Sequence, residues 1–430
     1  MPDDRSHLEF AVDRLGDCTI PSPMSNVRFV PDDESVLYHS SLADIQPYLD
    51  ADRVPPCFEV AGPREMIHFE PQKVKAGIVT CGGICPGLND VIRAIVLSLT
   101  HDYNVTSIFG FRYGYEGLTF RHGHPPVELT PDIVTDIHEQ GGTILGSSRG
   151  HQDVVEMADF LEDAGISILF TVGGDGTLTG ASVLAREMKK REKDISIIGI
   201  PKTIDNDISM VQMSFGFDTA VSEARRAIYG AYTEAAGGRN GIGLVKLMGR
   251  ESGFIAALSA LANDVVDFCL IPEIPFTVEA LLSALEDHLR EMGHAVIVAA
   301  EGAGQDLLEG PEEKDSSGNV RQKDIGLYIK EKVGACFSEK GIEVNLKYID
   351  PGYIIRSIPA NARDSAFCLL LGQNAVHAGM AGRTNMVVGF WRNEFTHVPI
   401  SVATAQRKKI DPESWLWSAV LAATRQPDLR

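Results

Sequence analysis

One plan recurs along this chain: a run of apolar residues, a glycine-rich turn, then a helical apolar pattern. KVKAGIVTCGG (residues 73–83) is a short apolar strand entering glycines, and Leu88 to Leu99 then carries apolar residues at helical spacing. ISILFTVGGDGTLTGASVLAREM (166–188) repeats the plan, and DISIIGIPKTIDND (194–207) is another buried strand ending in a polar loop. GIGLVKLMGRESGFIAALSALA (241–262) and HAVIVAAEGAGQ (294–305) do it again. The apolar runs are continuous, as strands covered on both faces require. Strands alternating with helices at this spacing predict parallel sheets with right-handed crossovers. The expected fold class is α/β, with two Rossmann-like domains of mainly parallel sheet flanked by helices. Ligands of such sheets sit beyond the carboxyl ends of the strands, where the glycine-rich or acidic clusters just named fall.

Composition narrows the function. With 430 residues, 44% of them hydrophobic, the chain can bury a full core in two to three domains. A formal net charge of −20 argues against a general nucleic-acid binder and means that an anionic substrate must be held by local positive features. The seven cysteines lack paired metal-type spacing. Cys81 and Cys85 are four apart with no second pair at finger spacing, so the thiols read as reduced and structural, in an intracellular protein. The N-terminus MPDDRSHLEFAVDRL has no apolar core of a secretory signal and is too acidic for a transit peptide. No run of about eighteen apolar residues occurs, so nothing is expected to span a membrane. A cytoplasmic location is the expectation. Residues 1–72, rich in Pro, Asp and Glu, read as an extension draped over a core, and Leu308 to Arg321 (LEGPEEKDSSGNVR) as a surface insertion.

Seven clusters have the residue types for phosphate and sugar chemistry. Gly82-Gly83-Ile84-Cys85-Pro86-Gly87, between a strand and a helix, lets the backbone approach an anion at a helix N-terminus; it equally suits a tight turn. Gly173-Gly174-Asp175-Gly176-Thr177 offers a carboxylate for Mg²⁺ within a phosphate cradle, or an Asp that caps the next helix. In Pro201-Lys202-Thr203-Ile204-Asp205-Asn206-Asp207, two carboxylates two residues apart point the same way if the segment is extended. Asp205 there suits a base taking a hydroxyl proton, and an Asx-rich turn is the alternative. Met248-Gly249-Arg250 places an Arg suited to planar phosphate contact at a strand end. Ala300-Glu301-Gly302-Ala303-Gly304 brings a carboxylate suited to sugar hydroxyls. Lys347-Tyr348-Ile349-Asp350-Pro351-Gly352-Tyr353-Ile354-Ile355-Arg356 groups Lys, aromatic and Arg, and GGTILGSSR ends in Arg149. Taken singly, the last four suit surface charge or helix caps at least as well.

Taken together, GGTILGSSR, GGDGT, PKTIDND, MGR, AEGAG and YIDPGYIIR resemble the phosphofructokinase family in order and spacing, over about Lys73 to Ile400. CGGICPGLNDVIR, SFGFDTAV, VKLMGRESGFIA and KYIDPGYIIRSIPAN are similar to the branch holding plant and trypanosomatid ATP-dependent enzymes. The resemblance implies the phosphofructokinase fold. Residues 73–216 plus 355–405 would bind the phosphoryl donor and 217–354 fructose 6-phosphate, with a tail at 406–430. It further implies transfer of the γ-phosphoryl of MgATP to the sugar 1-hydroxyl. In that reading Asp205 is the base and Asp175 binds Mg²⁺. Gly83, Arg149, Gly174, Gly176 and Thr177 surround the donor, and Arg149 and Lys202 offset charge on the moving group. Thr203, Asp207, Met248, Gly249, Arg250, Glu301, Lys347, Tyr353 and Arg356 bind fructose 6-phosphate. A homo-oligomer, dimer or tetramer, is implied as well.

The resemblance also bears on the donor. The residue after the loop Asp is Gly in the family's ATP users and typically Asp in its pyrophosphate users, because an Asp would fill and repel the α-phosphate position. Gly176 stands there. Lys202 occurs in pyrophosphate users, yet the plant-like ATP enzymes combine the two, so ATP is the expected donor and pyrophosphate the alternative. Two positions depart from common bacterial enzymes: Gly241 stands where they carry an Arg, and Tyr353 where they carry a His. A silent regulatory subunit is a further alternative, although no member of the proposed site is missing. A lipid or NAD kinase shares GGDGT loops but not PKTIDND and MGR, and a dehydrogenase would need an acidic residue at a set distance after the first glycine loop.

Overall fold

The computed structural model describes residues 10–308, 310 and 322–430, so most of the segment read as an insertion at Leu308 to Arg321 lies outside the described residues. The chain divides into two compact units. The first holds residues 1–203, 208–215 and 359–406, and the second 204–207, 216–358 and 407–430.

The first unit is built on a nine-stranded sheet among the described residues. Its centre is parallel: Met386–Trp391, Ser196–Pro201, Ile168–Gly173, Lys75–Thr80 and Ser107–Phe111 lie side by side in that order. All six residues of Ile168–Gly173 and of Ser196–Pro201 are buried, which explains their unbroken apolar runs. From Lys75–Thr80 the chain moves one way to Ser107–Phe111 and then returns to the other side at Ile168–Gly173. That reversal opens a crevice beyond the strand ends, the usual ligand position in such sheets. The helix Leu88–Tyr103 packs against Ala362–Met380, and the pair comes so close that a Cβ on Gly372 would sit 2.5 Å from that of Ala94.

The N-terminal segment does more than drape. Ser35–Leu37 and Cys57–Val60 add antiparallel strands to the sheet beyond Glu394–Pro399. Phe58 and Tyr38 pack with Phe10 and Trp391.

Among the described residues the second unit carries a four-stranded parallel sheet in the order Phe268–Leu270, His294–Ala300, Gly241–Leu247, Asn345–Ile349. The helices Phe217–Ala236 and Phe254–Leu261 supply buried alanines and isoleucines to its core. The segment read as a tail belongs to this unit: the helix Trp415–Thr424 buries Leu416, Trp417 and Val420 in the same core.

Candidate active site

In the first unit, four loops converge at the strand ends. The glycine loop after Lys75–Thr80 is zipped to the loop before Arg149: Gly82 N–H donates to the carbonyl of Ser148 at 3.0 Å, and Ser147 Oγ to that of Gly82 at 2.6 Å. A Cβ built on Gly83 would lie 3.5 Å from an Arg149 guanidinium nitrogen. Lys202, almost buried, donates from Nζ to the carbonyl of Gly83 at 2.8 Å, and its N–H donates to the carbonyl of Gly173 at 3.0 Å. The helix Asp175–Lys190 begins here, capped by Gly174 with no side-chain cap bond. Asp175 is therefore the first helical residue rather than the cap, and it stands where main-chain N–H groups and the positive dipole end gather. Thr177 is locked beneath the loop, where Tyr115 donates to its carbonyl at 2.6 Å. Gly176 is exposed, and a Cβ there would meet nothing within 4 Å. A cation, an arginine and a helix N-terminus thus gather at these strand ends, an arrangement suited to a polyphosphate. Cys81 lies below with its thiol pushed up to about 12 by burial, so it stays neutral.

The heptapeptide Pro201–Asp207 carries the chain from the first unit to the second. Thr203 ends the first of the three stretches that make up the first unit, and its carbonyl accepts from Ser214 Oγ at 2.6 Å. The segment is not extended. Asp205 sits in a turn and Asn206 adopts a left-handed φ of 55°, a conformation Asn tolerates better than most residues. The simple alternation expected for the two carboxylates therefore does not hold, and the turn itself sets their geometry.

In the second unit, the Arg250 N–H donates to Asp205 Oδ2 at 3.4 Å. Burial first, and then the Asp207 and Glu301 carboxylates, raise the Asp205 carboxyl to about 7. Opposing them are that N–H and the charge of Arg407. The loops of Met248-Gly249-Arg250 and Glu301-Gly302 lie against each other: Gly302 N–H donates to the carbonyl of Gly249 at 3.0 Å. A Cβ on Gly302 would fall 1.9 Å from the Arg250 carbonyl oxygen, so only glycine fits. Met248 is buried beneath. Burial raises the Glu301 carboxyl while Arg250, Arg356 and Lys246 pull it down. Arg356 lies over the Tyr353 ring, 4.9 Å from its centroid, and Tyr353 itself is exposed.

Of the residues expected at the sugar phosphate, Asp207, Arg250, Glu301 and Arg356 form one electrostatic cluster with the expected base, Asp205. Lys347 is exposed on Asn345–Ile349 in register with Gly243. The lysine that reaches Glu301 is Lys246, which sequence reasoning missed. It bridges Asp324 at 2.8 Å and Asp350 at 2.9 Å, and Tyr348 donates to Asp324 at 2.7 Å. Lys246 is the one charged residue of the strand GIGLVKL, and a charge inside an otherwise buried strand was the available signal.

Comparison with known proteins agrees with this geometry. The Phosphofructokinase family model matches residues 75–379. A protein of Borreliella burgdorferi named ATP-dependent 6-phosphofructokinase is 48% identical, over 98% of this chain and 97% of its own length. A Trypanosoma brucei brucei protein of the same name is 45% identical, over 97% of this chain and 87% of its own. The chloroplastic ATP-dependent 6-phosphofructokinase 5 of Arabidopsis thaliana is 47% identical, over 86% and 69%. Among solved structures, a pyrophosphate-dependent phosphofructokinase from Marinobacter aquaeolei superposes with a TM-score of 0.68 at 19% identity, covering 83% of this chain and 92% of that one. Pichia pastoris phosphofructokinase in the T-state superposes with a TM-score of 0.65 at 23% identity, covering 83% and 37%. At those identities the structures speak for the fold, whereas the sequence matches span nearly the whole chain. The chain belongs to the phosphofructokinase family.

Proposed function

We propose that this protein is an ATP-dependent 6-phosphofructokinase, a phosphotransferase of glycolysis that moves the γ-phosphoryl of ATP to the 1-hydroxyl of fructose 6-phosphate. The observation that carries this reading is the 48% identity, end to end, to an enzyme of that name. The open space at Gly176 supports a nucleotide as donor.

In this reading Gly83, Gly174, Gly176 and Thr177 cradle the donor phosphates, and Arg149 and Lys202 offset charge on the group in transit. Thr203, Asp207, Met248, Gly249, Arg250, Glu301, Lys347, Tyr353 and Arg356 hold the sugar phosphate. Asp205 takes the proton of the 1-hydroxyl as the phosphoryl group leaves ADP. The transition state of such transfers is loose and charge-rich, so most of the work is positioning and neutralisation.

Mg²⁺ fits the donor set. Asp175 supplies a hard carboxylate at the helix start, and no cluster of three ligating His, Cys, Asp or Glu side chains occurs among the described residues. An ion that keeps its waters and is held by one carboxylate plus substrate phosphates needs no more. Bound there, it would neutralise charge between the donor phosphates. A homo-oligomer is part of the same reading.

Purified protein with fructose 6-phosphate and Mg²⁺, given ATP or pyrophosphate separately, tests the donor. Turnover with ATP alone is expected. Turnover with pyrophosphate alone would overturn the nucleotide reading, and turnover with neither would favour a regulatory subunit.

A further inference from the structure

The chain is strongly acidic, yet Gln406-Arg407-Lys408-Lys409 is a short basic run. It lies beyond the residues matched by the family model, which end at 379. Such runs are usually solvated, and Lys409 is indeed exposed. Arg407 and Lys408 are instead turned inward within the second unit.

Arg407 Nη1 lies 3.1 Å from Asp207 Oδ2 and 3.6 Å from Glu251 Oε1. The Asp207 side chain is 6% exposed, so the ion pair is shielded from water on the carboxylate side. The Lys408 N–H donates to the Asp207 carbonyl at 2.7 Å, and its ammonium lies over the Phe254 ring at 5.3 Å. Glu273 then ties the segment down, accepting the N–H of Ile410 at 2.9 Å and that of Gly253 at 3.0 Å. Gly253 immediately precedes the helix Phe254–Leu261 and follows Met248-Gly249-Arg250, so one carboxylate fixes both the basic segment and the loop that faces Asp205. Ile410 is buried in the core. These contacts hold the segment against Asp207.

We propose that Arg407, assisted by Lys408, is a positioning residue for the acceptor carboxylates: it offsets the charge of Asp207 beside Asp205 and so sets the pH above which Asp205 can take a proton. The inference rests on the reading of Asp205 as the base. The charges acting on Asp205 include those of Asp207, Glu301 and Arg407, with the main-chain N–H of Arg250 donating to it, and Arg407 and Lys408 act on Asp207. Burial and two neighbouring carboxylates, against one main-chain N–H and the charge of Arg407, leave Asp205 the group driven toward its protonated form. Removing Arg407 takes away the charged part of that compensation and leaves the Arg250 N–H. An opposite charge within a few ångströms lowers a carboxyl by about one to three pKa units, so its loss moves Asp205 in the opposite sense.

The test is the pH dependence of kcat/KM for fructose 6-phosphate in the full-length enzyme and in Arg407→Gln, with ATP and Mg²⁺. The acidic limb of the variant should lie about one unit higher. Its kcat/KM should be roughly tenfold down on that limb and return toward wild type at alkaline pH. Arg407→Lys should restore the limb, and Lys408→Met should move it in the same direction by less. In an Asp207→Asn background, Arg407→Gln should add little shift. A loss of the same factor at every pH, with the limb unmoved, would make Arg407 a structural strut and overturn the inference. Should Arg407→Gln not fold, an unmoved limb in Lys408→Met overturns it equally. Wild-type protein inactive on fructose 6-phosphate at every pH would instead remove the functional reading beneath it.

Discussion

Lys202 Nζ donates to the main-chain carbonyl of Gly83 across 2.8 Å, strapping one strand-end loop to another with a cation that is 7% exposed. A flexible side chain held in this way has paid its ordering cost before any ligand arrives. Its charge is fixed where a donor phosphate would develop charge, the arrangement in which electrostatic stabilisation is most effective. Lys202→Met should therefore lower kcat by roughly 100- to 1000-fold, while the KM for fructose 6-phosphate stays within several-fold. It should also cost about 1–3 kcal/mol of stability through the carbonyl left without its donor. Steady-state kinetics and a thermal melt on the same sample separate the two effects, and near-normal kcat would reduce Lys202 to a strap.

Gly176 invites the opposite experiment, a residue added rather than removed. A Cβ there meets nothing within 4 Å, and the position lies in the first turn of Asp175–Lys190. An Asp at a helix start interacts favourably with the dipole, by about 0.3–1 kcal/mol. Gly176→Asp should thus fold with an unchanged or slightly higher melting temperature. Its carboxylate would occupy the space offered to the nucleotide and repel it. Like charges brought together cost several kcal/mol, so kcat/KM for ATP should fall by about 100-fold or more. A variant that uses ATP normally would show that the donor does not lie beside this residue.

What could be read before the fold was known followed from local rules. Ile168–Gly173 and Ser196–Pro201 are buried on both faces, and that requirement writes itself as an uninterrupted apolar run. Loops at parallel strand ends then had to gather, so Gly83 and Lys202 could be grouped from topology, whereas Arg149 joined them only through the family resemblance. Three things lay beyond such rules. The left-handed Asn206 that turns Asp205 is a single-residue choice with no periodic trace. Lys246 is a single charge inside a buried strand, and nothing local to it names its partners, although it pairs with Asp350 and its charge acts on Glu301. Arg407 and Asp207 are 200 positions apart, and no spacing rule links such a pair.

Asp205 should reveal itself in the pH profile. Burial and its carboxylate neighbours lift it to about 7, far above an ordinary Asp. A base must be unprotonated to act, so kcat should rise as pH increases through neutrality and level off above it. Because the acceptor carboxylates interact, the midpoint belongs to the group rather than to Asp205 alone. Asp205→Ser should lower kcat by about 100- to 10,000-fold, with the KM for the sugar within several-fold. The residual rate should also lose that acidic limb. A variant that keeps both rate and limb would remove Asp205 from the mechanism.

Arg383 poses a question of stability rather than catalysis. It is fully buried, and it reaches Glu59 at 2.7 and 3.0 Å and Asp32 at 2.6 Å, both from the N-terminal segment. Glu59 also accepts from Arg64 at 3.0 Å and pairs with His397 at 3.1 Å. Burial works to raise the Glu59 carboxyl, but His397 and Arg383 hold it well below the usual carboxylate range. A carboxyl depressed on folding stabilises the protein above its unfolded value, about 4.3, and that contribution drains away as pH falls below it. His397, held low chiefly by burial, adds a contribution present above about 6.5 and lost on acidification. Glu59→Ala would leave Arg383 buried without its main partner and should cost about 3–5 kcal/mol at neutral pH. Chemical denaturation at pH 7 and pH 4 would show the wild type losing more stability than the variant between the two, because the variant has already lost what acid removes. An equal loss in both would mean that the buried ion pairs fix where the N-terminal strands dock without contributing to how firmly they are held.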